Sequence, residues 1–195
     1  MERTVGLAVL TRTRRVGRAL VAAFVVAAVA QPTTAQDLTQ EEALRRAFPE
    51  GTSIERRTAY LDDAQIARAQ ALAGRDVEIE AGIVSYYVGT HGGRPAGAAY
   101  FDAQRVRTLP QVVMIVVDRE SHLERIEIVR WAEPPEYRAP SRWLAQFLGR
   151  VLDDVSERRG IAGITGATLT TRASTQASRR VLALHQVIDP FGAGP

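Results

Sequence analysis

The chain has 195 residues, 25 basic and 22 acidic, with a net charge of +3 and no cysteine. The missing cysteine excludes disulfides, thiolate catalysis, cysteine-ligated iron–sulfur clusters and c-type haem attachment. Every basic residue is arginine, so Schiff-base chemistry on lysine is excluded too.

Residues 1–35 read as a secretory signal. Arg3, Arg12, Arg14, Arg15 and Arg18 precede an apolar run from Ala19 to Ala30. That run has the length of an h-region, whereas a membrane span needs ~20 residues. Cleavage is expected after Ala30 or Ala35, by general secretion rather than the twin-arginine route, with a retained anchor as the alternative. Without the leader, 20 basic and 21 acidic residues remain and the net charge is −1. The basic excess therefore belongs to the leader, which removes the electrostatic case for nucleic-acid binding. Residues 36–195, about 160 in all, suffice for one domain.

The mature part opens with a helix from Asp37 to Phe48. Thr39 and Glu42 form a capping box, and Pro49 and Gly51 end the helix. Ser53 to Leu61 alternates as a strand. Asp62 or Asp63 caps a second helix through Ala73, with Gly74 at its end. Ile79 to Val88 reads as a strand, Gly89 to Arg94 as a loop, and Gly97 to Val106 as the returning strand. Val112 to Val117 is the most apolar run and is expected to be central. After the polar turn Asp118–Ser121, Leu123 to Trp131 returns, with Ile126 and Ile128 on one face and Arg125 and Glu127 on the other. These hairpin spacings predict an antiparallel sheet, and with helices flanking it the class is α+β.

The prolines of Trp131–Pro140 exclude regular structure there. Ser141 is expected to cap a short helix from Arg142 to Leu148, stopped by Gly149. Trp143 and Phe147 fall on one face of it, the pattern of core packing for Phe147. Trp131, Tyr137 and Trp143 are open between packing and ligand contact. His91, His122 and His185 have no ligand-like spacing. The serines show no nucleophile-elbow pattern, and Asp153–Asp154 and Glu41–Glu42 read as solvated acids.

The stretch Arg159–Ala173 carries the chemistry. Glycines lead into a final helix whose apolar stripe is Leu169, Ala173, Ala177, Val181 and Leu184. Thr165, Thr168, Thr170 and Thr171 crowd the junction. A glycine turn entering a helix N-terminus offers unpaired N–H groups and the positive end of the macrodipole, which suits a phosphate. A threonine-capped helix after a loop is the plainer reading of the same residues.

Thr165-Gly166-Ala167-Thr168, followed by Leu169-Thr170, resembles the [Ser/Thr]-Gly-Ala-Thr flavinylation motif of the FMN-binding domain family. That family includes flavin-carrying subunits of the Na+-translocating NADH:quinone reductase and of Rnf-type complexes, with stand-alone extracytoplasmic relatives. The resemblance covers Tyr87 to Val187. It implies FMN held as a phosphoester on Thr168 by a flavin transferase, with Thr165, Gly166, Ala167, Leu169 and Thr170 shaping the phosphate pocket. Ala162 stands where the family usually carries an aspartate. Glu133 and Pro135 match the family's loop that approaches the flavin, while Pro134 and Glu136 depart from it. Tyr137 and Trp143 are the aromatic candidates beside it. The implied protein is a periplasmic or otherwise extracytoplasmic electron carrier between membrane or periplasmic redox partners, rather than a self-contained oxidoreductase. A noncovalent flavin-binding module and an envelope scaffold with an empty site are the alternatives.

Overall fold

Local signals set the first elements. The computed structural model of the protein describes residues 37–80, 82–156 and 160–192, so the secretory-signal reading lies outside the described residues. Helix α1 (Gln40–Ala47) starts at Thr39, whose hydroxyl accepts the Glu42 N–H while the Glu42 carboxylate accepts the Thr39 N–H at 2.8 Å. Helix α2 (Asp63–Ala73) repeats the device with Asp62 and Gln65.

Five strands follow the alternation of the sequence: β1 (Ser53–Tyr60), β2 (Ile83–His91), β3 (Arg94–Arg105), β4 (Pro110–Val117) and β5 (Leu123–Trp131). They form one antiparallel sheet in the order β1-β2-β3-β4-β5. The α+β class and the antiparallel sheet hold. Several boundaries change: α1 begins at Gln40 rather than Asp37, β3 at Arg94 rather than Gly97 and β4 at Pro110 rather than Val112, and β2 changes most. Strand β2 begins at Ile83 rather than Ile79 and runs on through Gly89 to His91, with a register shift at Gly89/Thr90. A Cβ at Gly89 would lie 2.6 Å from the Phe48 ring, so glycine here admits α1 onto the sheet. The apolar β4 is flanked on both sides, but β3 is the middle strand.

The sheet is covered on both faces. One core joins Val88, Tyr100, Ile115 and Ile128 of the sheet to Ala69 of α2 and to Ala177 and Leu182 of α4 (Thr168–Ile188). The other packs Ala43, Leu44 and Phe48 on Ala99, Met114 and Val129. Ile126 and Ile128 share the first core as expected. A register shift at Val116/Val117 explains how Leu123, at odd spacing from them, joins the same side. The β5 edge is closed at both ends. Leu123 exchanges hydrogen bonds with Gly149 and Arg150 at 2.8 Å, and the Leu38 N–H donates to Val129. The opposite edge, β1, presents Glu55, Arg56 and Arg57, charges that discourage strand addition.

After β5 the expected helix Arg142–Leu148 is broken. Helix α3 spans Ser141–Leu144 with Pro140 at its N-cap, so Ser141 is its first helical residue and not its cap. The chain then tightens into a 3-10 turn over Ala145–Phe147. Phe147 is fully buried, edge-on to Trp143 at 5.2 Å. Phe147→Ala is expected to cost about 3–5 kcal/mol in denaturant unfolding, the range for deleting a core phenylalanine.

Candidate functional site

The approach to α4 is held at two peptide groups. The Trp143 Nε1–H donates to the Ala162 carbonyl at 2.5 Å, and the Ala162 N–H donates to Gln146 Oε1 at 2.9 Å. Two residues on, the Ile164 N–H donates to Thr171 Oγ1 at 3.0 Å, and the Ala167 N–H closes a turn on the Ile164 carbonyl at 3.0 Å. Gly166 sits at φ +80° inside that turn, a conformation glycine adopts without cost, and a Cβ there would meet nothing within 4 Å. The bend therefore faces open space.

Helix α4 starts without a side-chain cap. Ala167 occupies the N-cap and supplies no oxygen, and the first helical bond runs from the Thr171 N–H to the Ala167 carbonyl at 3.1 Å. The N–H groups of Thr168, Leu169 and Thr170 thus have no hydrogen-bond partner among the described residues. Thr165, Gly166, Thr168 and Leu169 are exposed, whereas Ala167 and Thr170 are buried. Leu169, expected to head the apolar stripe, is 43% exposed, and the buried face begins instead at Thr170 and Ala173.

Two loops meet this helix start. The Thr170 hydroxyl donates to the Tyr137 carbonyl at 2.6 Å, tying α4 to a 3-10 turn over Pro135–Tyr137. Glu133 is buried, and its Oε1 accepts the N–H groups of Arg107, Thr108 and Leu109 at 3.0, 2.7 and 2.8 Å. The Leu109 N–H, joined by those of Thr108 and Arg107, holds this carboxyl below the usual range for glutamate. The loop so anchored places the Arg107 guanidinium 4.4 Å from the centre of the Tyr137 ring, a cation–π contact. From β3, Gln104 donates to the Ala173 carbonyl.

Of the ten sequence-predicted residues, Thr165, Gly166, Thr168, Leu169 and Pro135 are exposed, and Tyr137 is half-buried between Thr170 and Arg107. Glu133, Thr170 and Trp143 have their polar atoms engaged in holding the loops together. Arg107 joins the group without having been anticipated. Nothing in its local sequence marks it, since only the fold brings the β3–β4 loop to Tyr137. Two grooves, of about 670 and 750 Å3, lie elsewhere. One runs between α1, β5 and α3, the other is lined by Arg75, Arg172 and Arg179, and neither is lined by Thr165, Gly166 or Thr168. Thr170→Val is expected to lower stability by about 1–2 kcal/mol in urea unfolding, because it strands the Tyr137 carbonyl.

Compared with known proteins, the chain matches no family model and no curated protein.

Proposed function

We propose that this is an exported flavoprotein of the FMN-binding type, carrying FMN as a phosphoester on Thr168 and relaying electrons between redox partners. The observation that carries the reading is the uncapped start of α4. An exposed threonine hydroxyl stands at the first helical position, one residue past an open glycine turn, at a helix start whose first three N–H groups have no partner among the described residues. Those donors and the macrodipole of a 21-residue helix favour a phosphate dianion or diester at that end. The hydroxyl supplies the ester oxygen.

The bound flavin would supply one- and two-electron chemistry. The chain's own groups do the rest. Thr168 holds the tether, and Gly166 leaves room for it. The Tyr137 ring, fixed through its carbonyl by Thr170, offers an aromatic face, and Arg107 adds a positive charge beside it. Glu133 and Trp143 act as supports, one for the Arg107 loop and one for the approach to the bend. A tether would keep the cofactor from diffusing away outside the cell, where a flavin transferase is the attaching partner.

Coexpression with a flavin transferase, followed by a denaturing gel under ultraviolet light and intact-mass measurement, tests the reading. A fluorescent band and a mass raised by one FMN less one water, the change on forming the phosphoester, are expected. Flavin lost on denaturation would replace the ester by a noncovalent site. A colourless protein would overturn the reading in favour of an empty scaffold.

A further inference from the structure

At the far end of α4 lies a buried pair of titratable groups to which flavin carriage assigns no task. Tyr100 of β3 is 2% exposed and His185 of α4 is 3% exposed, and the tyrosine hydroxyl lies 3.0 Å from His185 Nδ1. The Tyr100 ring stacks on Tyr86 at 5.7 Å. His185 stands edge-on to it at 5.8 Å, and Phe191 closes the other side of the imidazole at 5.6 Å. Burial raises the Tyr100 pKa well above the ordinary value and pushes that of His185 down to about 4. Both are therefore neutral near pH 7. With its own proton on Nε2, the neutral imidazole presents Nδ1 as the acceptor of the phenol proton at that distance.

We propose that Tyr100 is a redox-active tyrosine whose proton acceptor is His185. A one-electron oxidant takes an electron from the phenol. The hydroxyl proton crosses to Nδ1, leaving a neutral tyrosyl radical, an imidazolium and the oxidant reduced by one electron. The physical reason is that an oxidised phenol is a strong acid, and a buried positive ring has no water to receive its proton. Oxidation inside a core is open only to a tyrosine with a base in hydrogen-bond reach, and Tyr100 has one. The new imidazolium faces the carboxylates of Asp118, beyond β4, and Asp189, beyond α4. The neighbouring Tyr86 has beside it instead the Arg57 guanidinium, paired with Glu55 at 2.7 Å, a cation that cannot take up the phenol proton. Arg57 also donates to the Pro190 carbonyl, on the Phe191 side of the pair. The radical therefore settles on Tyr100, where burial shields it from solvent and from coupling with other radicals. This assignment does not depend on the flavin reading.

The test is freeze-quench electron paramagnetic resonance of the full chain after oxidation by hexachloroiridate(IV) at neutral pH. A tyrosyl signal with hyperfine coupling to one histidine nitrogen and to one exchangeable proton is expected. Tyr100→Phe keeps the stacked ring and should lower the signal at least tenfold. His185→Gln should lower it at least tenfold with Tyr100 still present, folding being checked by circular dichroism. An undiminished signal in Tyr100→Phe would overturn the proposal, as would a Tyr100 radical without nitrogen coupling. If His185→Gln does not fold, the nitrogen coupling of the wild-type radical decides the matter alone.

Discussion

Valine at position 168 is expected to abolish covalent flavin while leaving the fold intact. Valine matches threonine in shape and sits at the first helical position of α4, where the lost hydroxyl has no hydrogen-bond partner among the described residues. An exposed substitution of that kind changes stability by about 0.5 kcal/mol or less. Attachment, by contrast, needs the oxygen. The neighbouring hydroxyls are poor substitutes. Thr170 is 1% exposed and donates to Tyr137 at 2.6 Å, and Thr171, equally buried, accepts from Ile164. Thr165 is exposed but lies inside the glycine turn, ahead of the helix donors that have no partner among the described residues. Intact mass and in-gel fluorescence after coexpression with a flavin transferase should therefore show full loss in Thr168→Val and retention in Thr170→Val. Flavin persisting on Thr168→Val would transfer the acceptor role to Thr165.

The parts of the fold that could be read in advance rest on contacts close in sequence. Both capping boxes join residues three apart, and each strand pairs with its predecessor, so alternation and turns were enough to set the order of the sheet. What escaped was settled at a distance. Gly89 looks like a loop residue until Phe48 is placed over it. The single helix expected over Arg142–Leu148 gives way to a 3-10 turn as Trp143 and Phe147 meet the core and the Trp143 indole reaches Ala162, 19 residues on. The candidate site divides in the same way. The bend was legible because glycine and threonine act on their own backbone. The tasks of Glu133 and Arg107 were not, because their partners lie across the β3–β4 loop. His185 shows the limit most clearly. Its position in the last turn of α4 suggests solvent or local bonding, and only the packing of α4 on β3 gives it Tyr100, 85 residues away.

That burial has a thermodynamic consequence. Acidification from pH 6.5 to 4 is expected to remove about 3 kcal/mol of stability through His185 alone. In the folded protein, burial holds the His185 pKa near 4, against an ordinary value of 6.5, even though Asp118 and Asp189 act in the opposite direction. The unfolded chain therefore binds a proton in the window where the folded chain does not. The contribution is complete above pH 6.5, falls by roughly 1.4 kcal/mol per unit as the pH drops through the window, and levels off below 4. Urea unfolding at successive pH values reads the slope. His185→Gln, whose amide oxygen can keep the hydrogen bond from Tyr100 but cannot take up its proton, should start less stable or equal at pH 7 and lack this slope. Carboxylates such as Glu133, held low in the fold, add their own acid loss at lower pH in both proteins. The difference between the two curves thus isolates the histidine. An imidazole titrating near 6.5 by nuclear magnetic resonance would show that the ring keeps its water, and the predicted slope would vanish with it.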